Sequence, residues 1–528
     1  MRNAGLGSWP RRRRVKSAGQ PAIVAGDATV TYDELADRVD RFAAALQERG
    51  VRPGDRLAYL GENHPDFLVT LFATGLLGAV FVPINTRLAP PEVSFVLQDS
   101  GAALLVHAAE LTDLATTAIT GTGVTTRIVV ARAAGEHPSD PDPDGAAMER
   151  FDDLVTGAPG TTVDEEVTLE DPALLLYTSG TTGRPKGAVL THGNITWNCL
   201  NVLVDYDLTS KAIALLVSPM FHVASLSMGT LPVVLKGGCV VLETKFDPGR
   251  ALELIERHRI TMLSGVPTTF QMIADHPHWD TADLSSLQTL TCGGSAITRR
   301  LVEAYQQRGL AFTCGYGMTE TSPGATSLPA RFSAERIGSS GLPHFFTDVR
   351  VVDPAGSPAA PREVGEILVQ GPNVMDEYWN RPDATAEALT EDGWLHSGDM
   401  GYLDDGGFLF VTDRLKDMFI SGGENVYPVE VEAAILELPD VAMVAVIGVP
   451  DERWGEVPHA YVMPRPGAAV DAQAVQSHLT GRLARYKIPR TVTILDELPT
   501  TATGKIRKDR LRSLYARGRD GGPGKTED

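Results

Sequence analysis

Tyr177-Thr-Ser-Gly-Thr-Thr-Gly-Arg-Pro-Lys-Gly187 follows directly on the apolar run Ala173-Leu-Leu-Leu176. An apolar strand that feeds a loop of glycine, serine and threonine presents backbone N–H groups and hydroxyls to a polyphosphate. Glycine matters here because any side chain would hold the backbone away from the ligand. Lys186 adds a mobile positive charge. The loop is not a Walker A sequence, because Lys186 is followed by Gly187 rather than by Ser or Thr. Taken alone, the stretch fits either a phosphate cradle or a plain surface turn.

Five further blocks decide between these. They are Gly315-Tyr-Gly-Met-Thr-Glu320, His396-Ser-Gly-Asp-Met-Gly-Tyr402, Asp413-Arg-Leu-Lys-Asp417, Ser421-Gly-Gly-Glu-Asn425 and Pro499-Thr-Thr-Ala-Thr-Gly-Lys505. In this order the set resembles the adenylate-forming superfamily, which holds acyl- and aryl-CoA synthetases, luciferases and the adenylation domains of peptide synthetases. The resemblance runs from about Thr31 to about Leu514 and reads closest to bacterial fatty-acyl-CoA synthetases.

Bulk properties bound the rest. A chain of 528 residues is too long for one growing core, so at least two domains are expected. With 43% hydrophobic and 22% charged residues the composition is that of a globular protein. A net charge of −20 argues against a nucleic-acid partner. Arg11-Arg-Arg-Arg14 reads as a solvated arm, and peripheral membrane contact stays open. No secretory signal follows it. The most hydrophobic stretch, Leu68 to Ile84, is broken by Thr70, Thr74, Gly75, Gly78 and Pro83, and reads as a buried helix entering a buried strand, not a membrane span. Cys199, Cys239, Cys292 and Cys314 are scattered without a CxxC pair, so neither a zinc site nor a disulfide framework is expected. A reduced cytoplasm fits these features, and a homodimer is compatible with them.

Thr31 and Glu34 form a capping box, after which Leu35, Val39, Phe42 and Leu46 share one helical face as far as Gly50. Runs such as Arg56-Leu-Ala-Tyr-Leu60 and Ala103-Leu-Leu-Val106 alternate with helical segments. That pattern predicts an α/β fold with parallel sheets layered by helices. Residues 132–168, rich in Pro, Asp, Gly and Thr, read as a surface excursion. Beyond Arg414 a helix from Pro428 to Leu438, a strand Val441–Val449, a helix Asp471–Tyr486 and a strand Thr491–Leu495 predict a small α+β domain. The division expected is an N-terminal AMP-binding domain over 1–414, a hinge at 415–416 and a mobile C-terminal lid over 417–528.

The resemblance implies a two-step reaction. A carboxylate attacks the α-phosphorus of ATP, giving an acyl-adenylate and pyrophosphate; a thiol then takes the acyl group. Both steps move negative charge, so positioning and electrostatic stabilisation carry the catalysis. Lys505 is implied as the catalytic lysine of the first step, and Lys416 as the hinge residue. Thr178, Ser179, Gly180, Thr181, Thr182, Gly183 and Lys186 are implied to hold phosphates. Gly294, Ser295, Cys314, Gly315 and Tyr316 form the adenine slot, Thr319 bonds a phosphate oxygen, and Glu320 holds Mg²⁺. Asp399 accepts from the ribose hydroxyls, and Arg414 takes ribose or phosphate. Lys245, Gly422 and Gly423 are implied for CoA. His222 is implied as the gate between acyl pocket and CoA tunnel; on residue type alone it would be a core histidine.

His222, Val223, Ala224, Val266, Gly293 and Gly315 outline an apolar acyl pocket. No carboxylate stands near His222, which disfavours an α-amino acid. Phenylpropanoid ligases of this superfamily tend to carry tyrosine two residues after that histidine, where this chain has Ala224. The first expectation is therefore a medium- or long-chain fatty acid, joined to CoA with ATP and Mg²⁺. An aromatic or alicyclic acid is the alternative. An enzyme that loads a carrier protein, or a nucleotide-binding scaffold without activity, are the competing functions.

Overall fold

The computed structural model describes residues 2–130, 147–156, 162–178, 185–294, 297–414, 417–421, 424–451, 454–480, 482–483, 485–501 and 506–520. Among the described residues the chain forms four sheets. A nine-stranded sheet has a parallel centre in the order Phe312–Gly317, Thr289–Cys292, Met262–Gly265, Ile213–Leu216, Cys239–Leu242 and Pro21–Ala25. An eight-stranded sheet centres on Pro172–Thr178, Val80–Ile84, Arg56–Leu60, Leu104–Ala108 and Thr126–Val130. Such central strands are covered on both faces, which is why they read as unbroken apolar runs.

Helices close over both sheets. Tyr32–Glu48 begins at the predicted capping box: Thr31 Oγ1 accepts from Glu34 N, and Glu34 Oε2 accepts from Thr31 N at 2.8 Å. The hydrophobic stretch resolves as the helix Pro65–Leu76 and the strand Val80–Ile84, both buried. A four-stranded antiparallel sheet, Asp348–Val352, Gly365–Gln370, Leu395–Leu403 and Leu409–Arg414, leads out of this body. The smaller unit, after residue 417, is a five-stranded sheet with helices Pro428–Leu436, Ala472–Leu479 and Lys508–Asp520. Two core clusters there, one around Val431, Val446 and Leu479 and one around Ile447, Tyr461 and Leu511, draw, among the described residues, on none from the larger body. Polar contacts join the two: Arg465 Nη1 lies 2.9 Å from Asp275 Oδ2, and Arg300 Nη1 donates to Pro439 O at 3.2 Å.

Three expectations change. Arg11–Arg14 is not a solvated arm but part of the helix Trp9–Ser17, pinned by buried Leu6 and Trp9. The neighbouring helix supplies acidic partners: Arg11 Nε meets Asp40 Oδ1 at 2.5 Å, and Arg14 Nη2 meets Asp37 Oδ1 at 2.5 Å. Residues 132–168 do not all loop outward, because Ala147–Arg150 adds an edge strand and Phe151 sets its ring 4.4 Å from that of Phe42. The expected helix Asp471–Tyr486 stops at Leu479, where Thr480 turns extended; a short turn Arg485–Lys487 follows. Among the described residues no helix is long and apolar enough to cross a membrane.

Candidate active site

Parallel strands leave a crevice beyond their carboxyl ends, and ligands of open α/β sheets bind there. Gly265 pairs with Cys292 and Cys292 with Cys314; the first two strands end at this level, and Phe312–Gly317 runs on beyond it. Val266, Gly293, Gly294, Gly315 and Tyr316 all lie past or at those ends and retain accessible surface, whereas Leu263, Leu290 and Phe312 behind them are buried. Gly294 has φ +80°, and a Cβ there would sit 3.5 Å from Val266 Cγ1, so the two line one wall. Cys314 turns its thiol instead into the core that holds Leu263, Leu290 and Phe312, where burial pushes its pKa up to about 12. Gly317 is required by close approach: a Cβ would lie 1.6 Å from Pro323 O.

On that ledge Tyr316 Oη donates to Asp399 Oδ2 at 2.7 Å. Asp399 sits on the strand Leu395–Leu403 in register with Arg414, and its N–H donates to Ser397 Oγ at 3.0 Å. An aromatic face beside a carboxylate is what an adenine and its ribose require. Of Arg414 only the backbone belongs to the described structure.

Thr319 and Glu320 occupy one short turn, Thr319–Thr321, straight after the strand Phe312–Gly317. Glu320 Oε1 accepts from Tyr378 Oη at 2.8 Å, and Glu320 O accepts from Met375 N at 2.7 Å. Lys186 Nζ stands 5.1 Å from the centre of the Tyr378 ring. Burial, and then the Glu320 charge, raise the Tyr378 phenol well above its ordinary pKa, so it stays a donor. Among the described residues no group of three or more His, Cys, Asp or Glu side chains gathers as a metal cage. One carboxylate suits Mg²⁺, which keeps its waters and takes the rest of its shell from substrate phosphates. Bound there, the ion would neutralise phosphate charge as it develops.

The base of the phosphate loop is braced from outside. Tyr177 Oη donates to Asp99 Oδ2 at 2.8 Å, and Arg381 Nη2 reaches Asp99 Oδ1 at 2.7 Å. Trp379 N donates to Gly187 O at 2.8 Å, and Trp379 Nε1 to Asp99 O at 3.0 Å. The segment Met375–Arg381 thus bonds the strand Lys186–Thr191 directly and reaches the strand Pro172–Thr178 through Asp99. None of Asp99, Tyr378 or Arg381 was singled out by sequence; the signal was an aromatic pair, Tyr378-Trp379, before a turn at Asn380-Arg-Pro382.

His222 lies between the strand Ile213–Leu216 and a π-helical turn, Ser225–Thr230. Burial, helped by the charge of Arg87, lowers its pKa to about 4, and its Nε2 finds no hydrogen-bond partner among the described residues. Burial thus keeps it a neutral imidazole. Asn63 holds the approach to it: Oδ1 accepts from Met220 N at 2.8 Å, while Nδ2 donates to Ser218 O and Glu243 O, both at 3.0 Å. Ala224 is exposed, but Val223 packs into the main core rather than the pocket. Lys245 is exposed on the turn after Cys239–Leu242. Thr178 ends its strand in register with Lys186. Ser179, Gly180, Thr181, Thr182, Gly183, Ser295, Lys416, Gly422, Gly423 and Lys505 lie outside the described residues. Close to the last, Arg507 is within electrostatic reach of Glu92 on the larger body.

The family model "AMP-binding enzyme" matches residues 11–379, and "AMP-binding enzyme C-terminal domain" matches 430–505. A feruloyl-CoA synthase of Amycolatopsis sp is 52% identical over 98% of this chain and 100% of its own length. The long-chain-fatty-acid–CoA ligase FadD13 of Mycobacterium tuberculosis is 35% identical over 98% of this chain and 99% of its own. The o-succinylbenzoate coenzyme A synthetase of Bacillus subtilis, solved with ATP and a magnesium ion, superposes with a TM-score of 0.83 at 33% identity, over 96% and 99% of the two chains. The chain belongs to the AMP-binding enzyme family, and its class of reaction is that of an AMP-forming acid–CoA ligase.

Proposed function

We propose that this enzyme activates an aromatic carboxylic acid, of which ferulic acid is the type, and transfers it to CoA. The acid and Mg²⁺-bound ATP meet at the strand ends, where Asp399 and Tyr316 hold the nucleoside and Glu320 the metal. The carboxylate displaces pyrophosphate, and the thiol of CoA then displaces AMP. The observation that carries the aromatic reading is the whole-length identity of 52% to a feruloyl-CoA synthase, against 35% to a long-chain ligase. This reverses the order of the two acids expected from sequence. Ala224, in place of the tyrosine expected of phenylpropanoid ligases, argued for an aliphatic chain. A small residue such as Ala224 equally leaves width for a ring, and Gly293, Gly294 and Gly315 leave room beside Val266. Apolar pockets for chains and for rings use the same residue types, so composition could not separate them.

Incubation with ATP, Mg²⁺ and CoA against ferulic, p-coumaric, cinnamic, benzoic, octanoic and palmitic acids, scored by AMP release, tests the reading. Ferulic or p-coumaric acid should lead in kcat/KM by at least about tenfold, a margin of roughly 1.4 kcal/mol. Preference for palmitic acid would sink it. A carrier protein in place of CoA should leave the acyl-adenylate unconsumed.

A further inference from the structure

We infer that Tyr378 is a positioning residue of the adenylation step, which sets the Glu320 carboxylate for the metal and seats the Lys186 ammonium beside it. The inference rests on the reading of Glu320 as the metal ligand. The order of residues shows only an aromatic pair before a turn; the geometry gives Tyr378 its partners.

The Tyr378 side chain joins two parts of the site that come from distant stretches of chain. Its hydroxyl donates to Glu320 Oε1 at 2.8 Å, and its ring lies 5.1 Å beneath Lys186 Nζ. A carboxylate with one oxygen already engaged cannot rotate freely, so its second oxygen is presented in a fixed direction. That is the condition for monodentate binding of a small cation that tolerates little distortion. The ring face meanwhile attracts the ammonium at a distance within the cation–π range. Without such a rest, a lysine on a flexible stem beside a carboxylate would fold onto it and quench both charges.

The backbone around Tyr378 is itself held firmly. Tyr378 pairs with Ala188 on the strand that follows the phosphate loop, and Met375 N caps Glu320 O at 2.7 Å. Trp379 and Arg381, the residues that follow it at one and three positions, bond Asp99, which in turn accepts from Tyr177 at the loop's entry. One short segment therefore references the metal ligand, the loop lysine and both loop strands to a single frame.

Two variants separate the two duties. Tyr378→Phe keeps the ring and loses the donor, whereas Tyr378→Leu loses both. The probe is Mn²⁺ binding in the presence of a non-hydrolysable ATP analogue, followed by electron paramagnetic resonance, beside AMP binding without metal. Tyr378→Phe should weaken Mn²⁺ binding about tenfold, the scale of one hydrogen bond to a charged group, with AMP affinity unchanged. Tyr378→Leu should in addition weaken the analogue at saturating Mn²⁺. Glu320→Gln serves as the reference for the premise. Unchanged Mn²⁺ binding in Tyr378→Phe, with Glu320→Gln impaired, overturns the inference. Unchanged binding in Glu320→Gln removes the premise, and the inference falls with it. Equal loss of Mn²⁺ and AMP binding in Tyr378→Phe would mean that the ring merely supports the fold, which also overturns it.

Discussion

Single residues in this site act by being held, and the hydrogen bonds that hold them set their worth. Asp399 accepts from Tyr316, and together they form an acceptor beside an aromatic face. Asp399→Ala should raise KM for ATP by about 10- to 100-fold, the range of a lost charge-assisted hydrogen bond, with little change in thermal stability. Initial-rate kinetics over ATP concentration check this; an unchanged KM would move the ribose site elsewhere. The motifs that suggested Tyr316, Glu320 and Asp399 were legible in sequence, the first two falling by the end of the strand Phe312–Gly317 and the third within Leu395–Leu403. Val223 was not, since neighbours beside a π-helical turn point to different sides and only the packed structure shows which side is core.

At the scale of elements, the phosphate loop is a hairpin whose two strands need an external brace. Asp99, near the end of the helix Pro90–Ser100, provides it through Tyr177 and Arg381. Removing Asp99 leaves the Tyr177 hydroxyl and the Arg381 guanidinium without their shared acceptor, a cost that solvent around the partly exposed guanidinium reduces. Asp99→Ala should therefore cost about 1–2 kcal/mol of stability and slow pyrophosphate release more than it slows CoA transfer from supplied acyl-adenylate. Chemical denaturation and the two half-reaction assays measure these; equal slowing of both halves would deny Asp99 a link to the loop. Local elements such as the Thr31 capping box were plain in the sequence. The arginine run was misjudged because its acidic partners lie on another helix.

For the whole molecule, we propose that the two bodies share one crevice and that Lys505, in the sequence of the smaller, serves it in one of two poses of that lid. We propose that Lys505→Ala abolishes adenylation while leaving thioester formation from supplied acyl-adenylate within about threefold, roughly 0.7 kcal/mol. Comparable loss of both half-reactions would end the account of a lid with two poses. Global stability has its own acid limit. Burial holds His107, His192 and His222 each at a pKa of about 4, below the ordinary value of 6.5. The unfolded chain takes up these protons first, so stability is intact above pH 6.5 and is lost as pH falls from there toward 4. Each tenfold difference in proton affinity between the unfolded and folded chain is worth about 1.4 kcal/mol, so the loss should reach a few kcal/mol. A melting temperature constant between about pH 7 and pH 5 would show these imidazoles to be charged within the fold.

Chain length and apolar periodicity were enough to lay out an α/β body with a smaller α+β unit, and the resemblance carried by six ordered motifs pointed to an adenylating chemistry and to candidate residues for it. These are local properties: periodicity and loop composition act over a few neighbours, and sequence displays them directly. Only the tertiary structure decided that Tyr378 meets Glu320 and Lys186, that Asp99 braces Tyr177, and that Asn63 fastens the approach to His222. Those partners lie far apart along the chain, and a contact made by packing leaves no pattern in the order of residues.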